Sequence, residues 1–429
     1  MAIPQEWLQY APKPGDLKNE KWHVFLSYRS VNRPWVLSLY DVLAELGFKV
    51  FLDQYVLKAG DVLIQTLEDG LTKSQAGVLI WSATTQDSEW VKKEYHVLET
   101  LATENPNFKF VPVKIEKSKM PAFAASRVFI DFSDYPDGPN GGDLIRLLHS
   151  IVGKELSNEA IHFATEQDEL SKEDAAKVSA AIKNGNAKKI VQLFETGGLP
   201  WKTSAALGCK SAEGLIKLKE YDEAIKILDN LGAQFKKALR PKQLKALALA
   251  KRGKEGDLEE AQDILGALYE KNYLDPETMG IYARTWMDRY AKSNNISDLK
   301  QSRDLYAEAF EKAPDDYYTG INAASKSIFI GTEKDLQKAA EYAARAQTIT
   351  GSEAVQGDYW KTATIAEIFL IQKKYSEAAA MYERAVGMAR AATDSHESSF
   401  KQAKRLMEKL NPSDEEQQML MEAFKHLQV

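Results

Sequence analysis

Two periods of hydrophobicity divide this chain. Over residues 21–156, short apolar runs alternate with amphipathic stretches. HVFLSY (23–28), KVFLD (49–53), AGVLIWS (76–82), FKFVPVKI (108–115) and RVFIDFSD (127–134) are short and apolar, the pattern of five buried strands. RPWVLSLYDVLAELG lies between the first two, with an apolar stripe at Val36, Leu39, Tyr40, Leu43 and Leu46. Pro34 suits a first helical position and Gly47 lies just past the end. DVLIQTLEDGLTKS (61–74), the segment holding Trp90 and Glu94, and GGDLIRLLHSIVGKEL (141–156) read as further helices. Strands alternating with helices predict an α/β fold, a parallel sheet covered on both faces. Ligands of such sheets bind beyond the C-terminal strand ends, where Tyr28, Arg29, Asp53 and Ser82 fall.

After residue 157 the strand pattern stops and helical periodicity takes over. YDEAIKILDNL (221–231), LEEAQDILGAL (258–268), LKQSRDLYAEA (299–309), LQKAAEYAARA (336–346) and YSEAAAMYERA (375–385) align in register. Their small positions are Ala224, Ala261, Ser302, Ala339 and Ala378, each about forty residues after the last. Four residues on come Leu228, Leu265, Tyr306, Ala343 and Tyr382. A small residue lets two helices approach, and the larger one fills the groove between them. The pattern predicts an all-α solenoid of helix pairs, and it resembles tetratricopeptide (TPR) repeats. The expected division is an N-terminal extension (1–20), an α/β domain (21–156) and a TPR-like α-solenoid (157–429).

Composition narrows the function. The 429 residues are 44% hydrophobic and 28% charged, ordinary for a globular protein. A net charge of −6, without a long Lys/Arg stripe, argues against nucleic acid as a partner. The single cysteine, Cys209, excludes an internal disulfide framework and fits a reducing compartment. The first residues lack the basic start and apolar core of a signal peptide, and no run reaches the roughly 18 apolar residues of a membrane span. The expectation is a cytoplasmic protein with no membrane partner. The six histidines show no metal-ligand spacing, so no metal is expected, and no phosphate-loop or nucleophile-elbow motif occurs.

DSEWVKKEYHVL (87–98) sets Trp90 and Glu94 one helical turn apart. A glutamate on an amphipathic helix is ordinarily a solvated charge. Together with HVFLSYRS and FLDQYVLKAGD, however, SEWVKKE resembles the motifs of the TIR (Toll/interleukin-1 receptor) family, over roughly residues 20–155. Ala59-Gly60 stands where many members have Pro-Gly, and the C-terminal Phe-Trp box of animal receptors is absent, so the resemblance is to the prokaryotic type. It implies a flavodoxin-like five-stranded parallel sheet. A second resemblance, over roughly 160–390 and densest in YYTGINAA, is to the TRAFs-binding region of MAP kinase kinase kinases.

Many TIR domains cut the nicotinamide–ribose bond of NAD+, and the resemblance implies this activity with Glu94 as the catalytic carboxylate. One carboxylate is chemically enough. Glycoside hydrolysis ordinarily uses two, because a poor leaving group must be protonated. Nicotinamide is already a cationic pyridinium in NAD+ and leaves neutral, so a lone acid needs only to stabilise the ribosyl cation. Tyr28, Arg29, Asp53, Gly60 and Trp90 are the candidate substrate-binding residues. Arg29 suits a phosphate oxygen, Trp90 a desolvating wall, Asp53 the orientation of substrate, and Gly60 the hinge of a covering loop. NAD+ is then substrate and no cofactor is expected. By the same resemblance, self-association of TIR domains activates the enzyme. The solenoid would regulate it by holding an unknown protein or ligand, and the whole would serve as a bacterial defence or cell-death effector. The competing expectation is a non-enzymatic scaffold in which both halves bind other proteins and Glu94 is idle.

Overall fold

The apolar runs pair side by side as a single parallel sheet. In the computed structural model, β1 (Trp22–Ser27) lies between β2 (Val50–Phe51) and β3 (Ser74–Trp81). Beyond β3 come β4 (Lys109–Lys114) and β5 (Ile130–Asp131), giving the order β2-β1-β3-β4-β5. The structure describes residues 3–29, 32–52, 69–82, 89–117, 128–135, 138–389 and 393–427; the side chains of 89–94 and 393–394 are outside the description. Asp53, Gly60 and most of the helix expected over 61–74 therefore lie outside the described residues.

Burial explains the strand lengths. In β1 every residue after Trp22 is buried, and β3 is buried except at Gln75, as central strands covered on both faces require. β2 and β5 lie at the two edges and are only two residues long, shorter than their apolar runs. Short edges leave few unpaired backbone groups to recruit another chain. Pro112 sits inside β4 opposite Leu79, but pairing with β5 begins only at Val113, so its missing N–H faces no partner strand.

The helix Arg33–Glu45 has Pro34 in its first turn, as expected, and buries Trp35, Val36, Leu39 and Leu43. Gly141–Val152 ends on Gly153 at φ +65°, a left-handed position suited to glycine. Its start is capped twice. Asn140 Oδ1 accepts the Gly141 N–H at 2.8 Å, and Asp168, from the helix Asn158–Lys183, accepts those of Gly142 and Asp143 at 2.6 and 3.0 Å. Tyr135 also donates its hydroxyl to the Asp168 carbonyl at 2.9 Å. Thus the helix Asn158–Lys183 is bonded to the helix and the turn that precede it.

Two compact units result, Met1–Ala267 and Leu268–Val429. The first holds the sheet and the helices through Arg240–Arg252; the second is wholly helical. The in-register small positions Ala224, Ala261, Ser302, Ala339 and Ala378 are all 0% exposed, so each lies at a helix–helix seam. Ser302 also donates its hydroxyl to the Ala283 carbonyl of the preceding helix at 2.7 Å. Asp275, Asn295, Asp316, Thr332 and Asp358 cap successive helices of the second unit with their side chains, which fixes where each begins. The fold is thus a five-stranded parallel α/β domain followed by a long TPR-like helical region.

Candidate functional site

Strand order locates the site. β1 is the pivot of the sheet: the chain crosses from it to β2 on one side and later to β3 on the other. In sheets of this order the connections leave the C-terminal ends in opposite directions at that pivot, opening a crevice between them. The residues at its lip are those following β1 and β3.

Tyr28 and Arg29 follow Ser27 at the end of β1 and are half-buried, neither sealed in the core nor free in solvent. Ser82 follows Trp81 at the end of β3 and is 0% exposed. The structure therefore brings three of the strand-end residues together at one edge. Asn32 joins them. Its Nδ2 donates to Ser82 Oγ at 2.9 Å, and its backbone N–H donates to the Arg29 carbonyl at 2.8 Å. This buried amide ties the segment after β1 to the end of β3, across the pivot. Sequence reasoning passed over Asn32; its signal was an amide directly before the Arg-Pro that starts a helix.

The segment with Trp90 and Glu94 is helical, Glu89–Glu104, and leaves the C-terminal end of β3. The side chains of Trp90 and Glu94 lie outside the described residues, whereas the next turns are well anchored. Tyr95 and Leu98 are fully buried and pack with Phe25, Leu79, Trp81 and Phe110 of the sheet. Gly77 in β3 permits this approach, because a Cβ there would run into the Leu98 side chain and lie 3.0 Å from Phe108 Cζ. The helix start is thus held at the crevice by two core side chains and one absent one. Among the described residues no group of three or more His, Cys, Asp or Glu is arranged to hold a metal ion. No helix of the described residues is long and apolar enough to cross a membrane.

Comparison with known proteins agrees with the geometry. The TIR domain family model matches residues 24–147, and the Tetratricopeptide Repeats-Sensor model matches 220–327. The chain is 33% identical over 76 residues to a probable 2′ cyclic ADP-D-ribose synthase, TcpB, of Brucella melitensis biotype 1, covering 18% of this chain and 30% of that protein. It is 31% identical over 75 residues to the NAD(+) hydrolase TcpA of a Theionarchaea archaeon, covering 17% and 23%. The 2′ cyclic ADP-D-ribose synthase AbTIR of Acinetobacter baumannii gives 31% over 75 residues, covering 17% and 28%. The matches thus span less than a third of these relatives' length. A thermophilic TPR protein of Thermus thermophilus overlaps 46% of this chain and 96% of its own at 14% identity, with a TM-score of 0.37. Residues 24–147 are therefore a TIR domain, distantly related to bacterial and archaeal NAD+-processing TIR proteins, and a TPR-sensor helical region follows it.

Proposed function

We propose that the TIR domain cleaves the nicotinamide–ribose bond of NAD+, with Glu94 as the catalytic carboxylate. The bond breaks with its electron pair going to the pyridinium nitrogen, so nicotinamide departs neutral and C1′ of the ribose is left electron-poor. Glu94 stabilises that cation, and water or one of the substrate's own hydroxyls then forms the new bond at C1′, giving up its proton to solvent. Arg29 holds a phosphate oxygen and Tyr28 lines the mouth, while Trp90 shields the sugar from water. Asp53 and the loop around Gly60 orient and cover the substrate. Activity rises when TIR domains self-associate, and the helical region governs that association.

The observation that carries this reading is the anchored helix Glu89–Glu104, which leaves β3 at the pivot edge where Tyr28 and Arg29 follow β1. The relatedness to NAD+-processing TIR proteins supports the choice of substrate. The test is incubation of the purified chain with NAD+, at high concentration or with a crowding agent, following free nicotinamide. Release by the wild type and its loss in Glu94→Gln, with assembly unchanged, is the expected result. An assembled wild type that releases no nicotinamide overturns the proposal in favour of a binding scaffold.

A further inference from the structure

The second unit contains a cavity of about 310 Å³ between the helices Pro276–Ser293, Tyr317–Ile330, Tyr359–Ile371 and Thr393–Leu410. That volume suits one small molecule and is too small for a length of folded peptide. Its lining is cationic: Arg284, Lys326, Lys401 and Arg405 stand against Asp288 and Glu367.

Lys326 is the residue that asks for a ligand. It is 5% exposed, in the wall of the cavity. Its ammonium has three donors, and one of them goes to Asn322 Oδ1 at 2.7 Å. It also lies 5.3 Å from the Tyr306 ring centroid, but among the described residues no carboxylate comes within 4.0 Å of it. Burying an ammonium this way is unfavourable, and burial drives its pKa down to about 8. The two carboxylates attract it from a distance, but their close partners are other side chains. Glu367 accepts from Gln402 Nε2 at 2.9 Å, which itself reaches Ser325 Oγ at 2.9 Å, and Asp288 faces Arg284 at 3.6 Å. Arg405, on the opposite helix, also has no carboxylate within 4.0 Å among the described residues. Two cations without a salt bridge, in a lining where positive side chains outnumber carboxylates, call for an anion with several acceptor oxygens.

The mouth adds a second requirement. Trp360 is 52% exposed and Tyr318 49% exposed, and both line the cavity. Large aromatic surface left open beside a cationic cavity suits the flat face of a ring. We propose that this cavity binds a mononucleotide, its phosphate taken by Lys326 and Arg405 and its base laid against Trp360. This site is separate from the TIR crevice and does not depend on the reading given for it.

The test uses the full chain and calorimetric titration with AMP and GMP, then ribose 5-phosphate, inorganic phosphate and a tetraglutamate peptide. Nucleotide binding should weaken about tenfold or more in Lys326→Met and in Trp360→Ala. Trp360 is half-exposed, so its variant keeps the question open to test should Lys326→Met fail to fold. Nucleotide binding unchanged in both variants places the ligand elsewhere in the chain and overturns the proposal. So does a panel in which nothing binds, or in which ribose 5-phosphate or phosphate binds as well as AMP. Preferential binding of tetraglutamate makes the cavity a peptide site and overturns it too.

Discussion

Asp41 caps a helix that starts at Arg240, 199 positions further along the chain. Its carboxylate accepts the backbone N–H groups of Leu239 and Arg240 at 2.9 and 3.2 Å, and the carboxylate-bearing residue is only 4% exposed. The helix Arg240–Arg252 has Leu239 at its cap position, which offers no side-chain acceptor. The TIR helix Arg33–Glu45 supplies what the local sequence lacks, and Lys237 reinforces the contact by donating to the Ala44 carbonyl at 3.2 Å. The TIR domain and the helices after it are thereby tied within one compact unit.

Replacing Asp41 tests that tie. Asp41→Ala leaves two buried N–H groups without this acceptor and removes a charge from the positive end of a helix, so it should lower stability by about 1–2 kcal/mol. Asp41→Asn keeps one acceptor oxygen and should lose roughly half as much. Urea unfolding of both variants gives the comparison; equal losses for Asn and Ala would mean that the acceptor is not what matters.

Asp143 gives a pH dependence with a definite sign. Burial, and after it the charge of Asp168, raise its pKa from 3.8 to about 6, although Arg146 donates to it at 2.8 Å. Between those two values the folded chain holds a proton that the unfolded chain has released. Stability contributed by this group therefore falls as pH rises from about 4 to about 6, and the loss is complete above that. Asp143→Asn removes the penalty and should stabilise the protein at pH 7.5 by about 1–2 kcal/mol. Thermal melts at pH 4 and 7.5 should show the gap closing at the lower pH. A gap that widens there contradicts the assignment.

Gly77 connects packing with the proposed chemistry. Any side chain there meets Leu98 and must push the helix Glu89–Glu104 off the sheet or force Leu98 to repack. Gly77→Ala should destabilise by about 1–2 kcal/mol. Nicotinamide release should fall about tenfold or more, because even an ångström of displacement at a catalytic group is expensive. A paired Gly77→Ala, Leu98→Ala variant relieves the clash and should recover part of the activity. Recovery of stability without any activity would assign Gly77 to folding alone.

The two architectures were legible because each rests on a short-range period. Alternation of apolar runs with amphipathic stretches gave the strands, and the spacing of Ala224, Ala261, Ser302, Ala339 and Ala378 gave the helix seams, all of them closed in the fold. Tyr28, Arg29 and Ser82 were legible as strand ends, since a strand's C-terminus can be read from where its apolar run stops. What was hidden depends on contacts far apart in sequence. Nothing near Asp41 announces the N–H groups of Leu239 and Arg240, and nothing near Asp168 announces the helix it caps. Asn32 reads as a loop residue until Ser82 is placed beside it. Lys326 reads as a lone charge in INAASKSIFI, and only the neighbouring helices reveal that it is buried.

Lys326 supplies the last prediction, because a buried ammonium held without a salt bridge should weaken the fold. Its pKa is lowered to about 8, chiefly by burial; Arg405 and Arg284 add to the lowering while Glu367 and Asp288 oppose it. Between that value and the ordinary 10.5, the unfolded chain binds a proton that the folded chain has lost. Stability associated with this group consequently rises as pH climbs from about 8 to about 10.5. Below pH 8 the penalty is fully present, so Lys326→Met, similar in length and apolar, should be more stable than wild type at pH 7 by about 1–3 kcal/mol. The advantage should shrink toward pH 10, and saturating AMP should raise the melting temperature of the wild type by more than that of Lys326→Met. A variant less stable than wild type at pH 7 would show that Asn322 and the Tyr306 ring already satisfy the ammonium. In that case the lysine would be part of the scaffold, and a stability cost would no longer argue for a function.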